Sequence, residues 1–194
     1  LQGVMESSPT AEVILVATGH LIAARGSEKL TMSAVATAAG VSRPTLYRWF
    51  PTKADLLGAL TRHETQRFDA GLRAAVAVHR TPARRLDAAL RYLVTYLDES
   101  LGADAIGVDP EFALRGLAAE LEPHVDILVQ LLGDAFAQIP VVRSGALSRE
   151  QAAEIFLRLA YSHYLVPHTD SEVLLAAMRS FAGLPRRSTR RAAG

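Results

Sequence analysis

TMSAVATAAGVSRPTLYRWFPTK, residues 31 to 53, holds two short helical segments separated by one glycine and ends in aromatic side chains and a lysine. Thr31 is placed to cap the first segment, where apolar Val35 and Ala39 recur at helical spacing with small Ala36 beside them. Gly40 can take the left-handed conformation that other residues resist, so the chain turns there. Beyond it Val41 fills the angle, Ser42 caps the second segment, and Pro44 falls in the first turn, where no backbone N–H is needed. Leu46 and Phe50 then face inward. Two short helices with this turn between them read as a helix-turn-helix, which lays its second helix against a nucleic-acid duplex.

The outward positions of the second helix are Arg43, Thr45, Tyr47, Arg48 and Trp49, with Lys53 just beyond. From Gly40 to Lys53 there are three basic side chains and no acidic one, so an anionic partner meets no repulsion. A reading helix needs groups for base edges and groups for phosphate. Arg43 and Arg48 suit guanine O6 and N7, while the Thr45 methyl and the Pro44 ring suit a thymine methyl. Ser42, Tyr47, Trp49 and Lys53 offer hydroxyl, phenol, indole N–H and ammonium donors to phosphate oxygens.

With 194 residues and 49% hydrophobic and 21% charged side chains, the chain has the composition of an ordinary globular protein. A net charge of +1 excludes a generally basic, histone-like binder, so DNA binding has to be concentrated on one face. The absence of cysteine excludes disulfides, thiolate zinc sites and cysteine nucleophiles, and fits a cytoplasmic protein. No signal peptide is evident at the N-terminus, and no run of about 18 apolar residues occurs, so no membrane association is expected.

Nearly every other segment repeats at helical spacing, which predicts an all-α protein of about nine helices: a three-helix DNA-binding head and a C-terminal helical bundle. The first helix runs from about Thr10 to Arg25 with Val13, Ile14, Ala17, Leu21 and Ile22 inward, and Gly26 ends it. Thr52 and Asp55 form a short-acid capping box that opens a long fourth helix to about Val78. Thr81-Pro82 begins a fifth helix to Glu99, with Leu86, Leu90, Leu93, Val94 and Leu97 as its stripe. A loop from Leu101 to Asp109 precedes a sixth helix from Pro110 to about Ala119, and Glu122-Pro123 opens a seventh to about Gln138. Ile139 to Leu147 reads as another loop. The expected domains are 8–52, a DNA-binding head; 53–183, for ligand binding and dimerisation; and 184–194, a basic disordered tail.

The last two helices, Ser148 to Val166 and Ser171 to Gly183, are apolar most of the way round. Ile155, Phe156, Leu159, Tyr164, Leu174, Met178 and Phe181 therefore supply a face for a second copy, giving a four-helix interface in a homodimer.

Over Ile14 to Leu57 the chain closely resembles the TetR family of transcriptional regulators. The resemblance rests on the small-residue first helix, Gly26, Thr31, the Ala38-Ala39-Gly40-Val41-Ser42 turn, Leu46-Tyr47, Phe50 and Lys53-x-Asp55-Leu56-Leu57. It implies a homodimer that binds a palindromic operator in double-stranded DNA, acts as a repressor, and lets go when a small molecule enters the C-terminal domain. Carried onto this chain, base contacts fall on Arg43, Pro44 and Thr45, and phosphate contacts on Thr31, Tyr47, Trp49 and Lys53. Trp49 departs from the histidine or tyrosine commoner there, and Arg48 stands at a variable position. The candidate effector lining is Tyr92, Tyr96, Phe112, Leu117, Leu128, Leu132, Phe136 and Tyr161 with His124 and His163 nearby, which suits a mostly apolar small molecule.

No cofactor or metal is implied. None of the six histidines forms a zinc-binding i, i+4 pair, and His163 and His168 are separated by Pro167. No nucleophile elbow or phosphate-cradling glycine loop occurs, so an enzyme has no named residues. The alternative is a nonspecific DNA-binding or helical interaction protein without an effector.

Overall fold

The computed structural model describes residues 8–99, 105–166 and 170–185. The side chain of Leu97, the start of the 101–109 loop, His168 and tail residues 186–194 lie outside the described residues. Among those described, ten helices and no strand are found: α1 Pro9–Arg25, α2 Met32–Ala38, α3 Arg43–Trp49, α4 Lys53–Ala77, α5 Pro82–Glu99, α6 Ala105–Val108, α7 Pro110–Phe136, α8 Pro140–Arg143, α9 Arg149–Leu165 and α10 Ser171–Phe181. The all-α expectation holds. The count differs because both expected loops contain a single helical turn, α6 and α8, while the expected sixth and seventh helices are one.

Pro123 does not end α7. A proline inside a helix removes one hydrogen bond and crowds the preceding turn, but packing can hold the helix through it. The backbone instead leaves helical geometry at Leu132, where φ is −123° and ψ is 16°.

Two compact units form, one from the described residues up to Ala70 with those of 97–124, the other from 71–96 with those from Val125 onward. In the first, α1 packs on α2 and on α6, and α2 on α3. Its core gathers Ile14, Leu15 and Ile22 of α1 with Val35, Leu46, Phe50 and Leu56, all buried. The inward face of α1 is rotated from the expected stripe: Leu15 is buried, whereas Val13 is 51% exposed. Gly26 closes α1 at φ 83° and Gly40 makes the turn at φ 65°.

In the second unit Phe136 meets Phe156 at 6.1 Å between ring centres, and Phe156 meets Phe181 edge-on at 5.5 Å. Ser148 and Gln151 close a reciprocal capping box at the start of α9. Phe156 and Met178 are fully buried. The sequence pattern puts both on a face for a second copy; in the structure both belong to the core of their own chain.

Two titratable groups of the first unit are shifted by burial. His124 stacks on Phe68 at 3.8 Å, and burial lowers its pKa to about 4. Burial also raises the pKa of Glu120 to about 7, helped by the nearby Glu64 carboxylate. The two act in opposite senses. Stability held by neutral His124 is lost as pH falls from its unfolded value of 6.5 through about 4. Stability held by neutral Glu120 is complete below its unfolded value of 4.5 and is lost as pH rises through about 7. Glu120→Gln should therefore gain on the wild-type chain between about pH 4.5 and pH 8, by at most about 3 kcal/mol, in paired denaturant titrations. A difference that does not change with pH would show that Glu120 ionises freely.

Candidate nucleic-acid interface

The head is set by its caps. Thr31 Oγ1 accepts from Ala34 N at 3.2 Å, and Ser42 Oγ accepts from Thr45 N at 3.2 Å. Each hydroxyl keeps its O–H, that of Ser42 lying 2.8 Å from Thr45 Oγ1. The short helix α3 and its cap present Ser42, Arg43, Pro44, Tyr47 and Arg48 to solvent, with Thr45 half-buried beside them and Leu46 fully buried beneath. No acidic residue stands in the first turn of α3.

Arg43 is not a free arm. Its guanidinium donates to Ser33 Oγ on α2 at 2.5 Å, and the Thr37 hydroxyl donates to the Ser33 carbonyl at 3.0 Å. This contact fixes the direction of the arginine before any partner arrives, which reduces the entropy lost on binding. The sequence does not single out Ser33, because it shares neither a helix nor a periodic pattern with Arg43.

Two expected phosphate donors are placed otherwise. Trp49 packs against the head's core, with its indole N–H buried and without an acceptor among the described residues. At helical spacing position 49 lies only one turn from Leu46, so a large apolar ring there turns under the helix. Lys53 points back toward the chain: its ammonium donates to the carbonyls of Ser27 at 2.7 Å and Glu28 at 3.4 Å. One N–H of the three remains for another acceptor. The expected short-acid box stands beside it, Thr52 N donating to Asp55 Oδ2 at 3.0 Å and Asp55 N to Thr52 Oγ1 at 3.1 Å.

The Ser27 segment is held from its other side by Asp109. One carboxylate oxygen accepts from Ser27 N at 2.7 Å and Ser27 Oγ at 2.6 Å, and the other accepts from Phe112 N at 3.0 Å, capping α7. These bonds, the Ser27 hydroxyl first, hold the Asp109 pKa below its usual value. Lys53, Ser27 and Asp109 thus form a relay from the start of α4 to the start of α7. In the sequence Asp109-Pro110 reads only as a helix start, since no local pattern points 82 residues back to Ser27.

The effector residues expected from the sequence do not all share one unit. Phe112 packs on the head's core and His124 stacks on Phe68, while Leu117 is half-buried, and all three belong to the first unit. Tyr92, Tyr96, Leu128, Leu132, Phe136, Tyr161 and His163 belong to the second. There Tyr92 and Tyr96 lie 5.4 Å apart, and His163 Nε2 is 3.1 Å from Ser171 Oγ. Among the described residues no group of three or more His, Cys, Asp or Glu side chains could hold a metal ion. None of the described helices is long and apolar enough to cross a membrane.

A capped two-helix head with a basic, acid-free outer edge defines a helix-turn-helix protein. The family model for bacterial regulatory proteins of the tetR family matches residues 14–60, from within α1 through α3 into α4. The transcriptional repressor LfrR of Mycolicibacterium smegmatis is 31% identical over 135 residues, covering 66% of this chain and 62% of the relative's length. The repressor KstR of the same organism is 40% identical over 74 residues, 38% of this chain and 36% of the relative. The matched stretches thus span less than two thirds of either curated relative. Among solved structures, the fatty acid degradation regulator FadR from Bacillus halodurans shares the fold with a TM-score of 0.69 at 20% identity, covering 91% of this chain and 95% of that one. Residues 14–60 thus carry the segment that defines the tetR family of bacterial regulatory proteins, and the chain is similar to transcriptional repressors of that kind.

Asp109→Ala removes one cap and strands the Ser27 N–H, so it should destabilise by about 1–3 kcal/mol at neutral pH. Ser27→Ala, which spares the backbone N–H, should cost about 1 kcal/mol. Equal losses for the two variants in denaturant titrations would mean that the backbone bond contributes nothing.

Proposed function

We propose that the chain is a transcriptional repressor that binds a palindromic operator as a homodimer and releases it when a small, mostly apolar effector binds its C-terminal domain. The head is then 8–52 and the ligand-binding and dimerisation domain 53–183. The observation that carries this reading is the exposed Arg43, Pro44, Tyr47 and Arg48 on a capped, acid-free helix, with Arg43 already aimed by Ser33. Arg43 takes guanine O6 and N7, with Pro44 and Thr45 against a neighbouring thymine methyl. Thr31, Ser42 and Tyr47 donate to phosphates, and Lys53 adds its remaining N–H while bracing the Ser27 segment. Arg48 supplies a further cation at the rim.

For the dimer the supporting observation is apolar surface on the last two helices: Leu159 is 37% exposed and Val173 58%, with Ile155, Tyr164, Leu174 and Phe181 half-buried around them. For the effector it is the aromatic and aliphatic character of Tyr92, Tyr96, Leu128, Leu132, Phe136 and Tyr161, with His163 as a polar handle, and the break in helical geometry at Leu132. The similar fold of the Bacillus halodurans protein, a regulator of fatty acid degradation, favours an effector with a fatty body. Control works through spacing. Half-sites on one face of B-DNA are about 34–36 Å apart, and an effector that favours the wrong head spacing by about 1–3 kcal/mol weakens operator binding roughly 5- to 150-fold.

In a selection from random duplexes the protein should recover a palindrome bound about 10³-fold or more above background. Arg43→Ala should lose about 1–3 kcal/mol on that sequence and little on random DNA. Equal losses on both would favour the nonspecific alternative. Leu159→Glu with Val173→Glu should convert a dimer to a monomer in sedimentation; a monomeric wild-type chain that still footprints the palindrome would sink the paired reading.

A further inference from the structure

From Gly71 to Arg85 the chain carries four arginines, one histidine and no acid. The structure folds this run into a groove of about 420 Å³ in the second unit, lined by Arg73, His79, Arg80 and Arg85 over an apolar floor that includes Val76 and Leu131. Part of that charge has an internal explanation. Arg73, His79 and Arg80 lie near the C-terminal end of α4, where exposed carbonyls favour cations. Arg84 and Arg85 have no such compensation. They stand in the first turns of α5, where the helix dipole disfavours positive charge, and that helix has no acid in its first turn to offset them.

Arg85 is held in place: it donates to the Leu131 carbonyl at 2.5 Å and pairs with Asp134 at 3.3 Å. Its single carboxylate partner does not neutralise the groove. The side chains of Arg80 and Arg84 are exposed and make no hydrogen bond or ion pair among the described residues. A fixed Arg85, an unpaired Arg80 and His79 line a concave site, with unpaired Arg84 at the position next to Arg85 in the first turns of α5, and such a set is what a multiply charged oxyanion requires.

We propose that this groove is a binding site for a small phosphate-bearing ligand carrying at least two negative charges, with Arg85 as the fixed donor and Arg80 and Arg84 closing on the anion. The apolar floor accommodates an uncharged portion of the same molecule. The site shares no residue with the DNA-reading edge of α3 and does not depend on the effector reading.

The test uses the full chain with pyrophosphate and with a nucleoside bisphosphate as probes, at constant ionic strength, by calorimetry and by nuclear magnetic resonance of the histidine rings. Saturable binding is expected, with the His79 ring signals moving and those of His20 on α1 unmoved. Arg80→Glu combined with Arg84→Glu should weaken binding at least about tenfold, which is about 1.4 kcal/mol, without changing the unfolding midpoint. Absence of saturable binding, or equal binding by the double variant, would overturn the proposal. So would a double variant that loses affinity for random duplex DNA instead, since the groove would then be a nucleic-acid surface.

Discussion

The Asp109 carboxylate is the contact on which the head's geometry depends. It ties together three backbone segments that also meet in the head's apolar core: the exit of α1, the start of α4 through Ser27 and Lys53, and the first turn of α7. A helix end leaves donors or acceptors unsatisfied, and here Asp109 takes donors from the exit of α1 and the start of α7 while the Lys53 ammonium takes the Ser27 carbonyl. Gly26 makes this possible. Its φ of 83° turns the chain so that the Ser27 N–H and hydroxyl reach the same oxygen, and a side chain at 26 would lie against Asp109. Because Lys53 donates to the Ser27 carbonyl and Asp109 accepts from the Ser27 N–H, the α7 cap and the start of α4 are joined through one residue by two hydrogen bonds.

Elements governed by local chemistry were legible in the sequence. Thr31, Ser42 and Thr52 cap as their neighbours imply, and Gly26 and Gly40 turn where their position requires. What could not be read locally depends on tertiary packing. Pro123 sits inside a helix although a proline there removes a hydrogen bond, whereas the backbone leaves helical geometry at Leu132, beside Gly133, a position that helical periodicity alone does not mark. The short turns α6 and α8 are too brief for periodicity to reveal them.

Side-chain direction was the less legible level of the site. Helical spacing on α3 points outward for Arg43, Tyr47 and Arg48, as the structure has them, and misplaces Trp49. The indole has both a donor and a large apolar surface, and in a seven-residue helix with only Leu46 fully buried the apolar surface decides. Lys53 shows the same competition between roles: its position at the start of α4 suits phosphate, yet the carbonyls of Ser27 and Glu28 lie within reach and take it first. Ser33 and Asp109 were invisible for the opposite reason. Each is an ordinary polar residue until the fold brings Arg43 or Ser27 to it.

Arginine placement separates the two charged regions of the molecule. Arg43 and Arg48 lie on a helix too short to build an appreciable dipole, so their charge is available to a partner at little internal cost. In α5, a helix of 18 residues, the same side chain at the first turns opposes the field of the whole helix. Arg85 is compensated by Asp134 and Leu131, Asp87 of the same helix pairs with Arg179, and Arg91 pairs with Glu172 of α10. Arg80 and Arg84 are left without a counter-charge among the described residues. With a net charge of only +1 over 194 residues, such a concentration is not the overflow of a basic protein. It is a local field, and a local field of this sign in a concave site is satisfied by an anion from outside the chain.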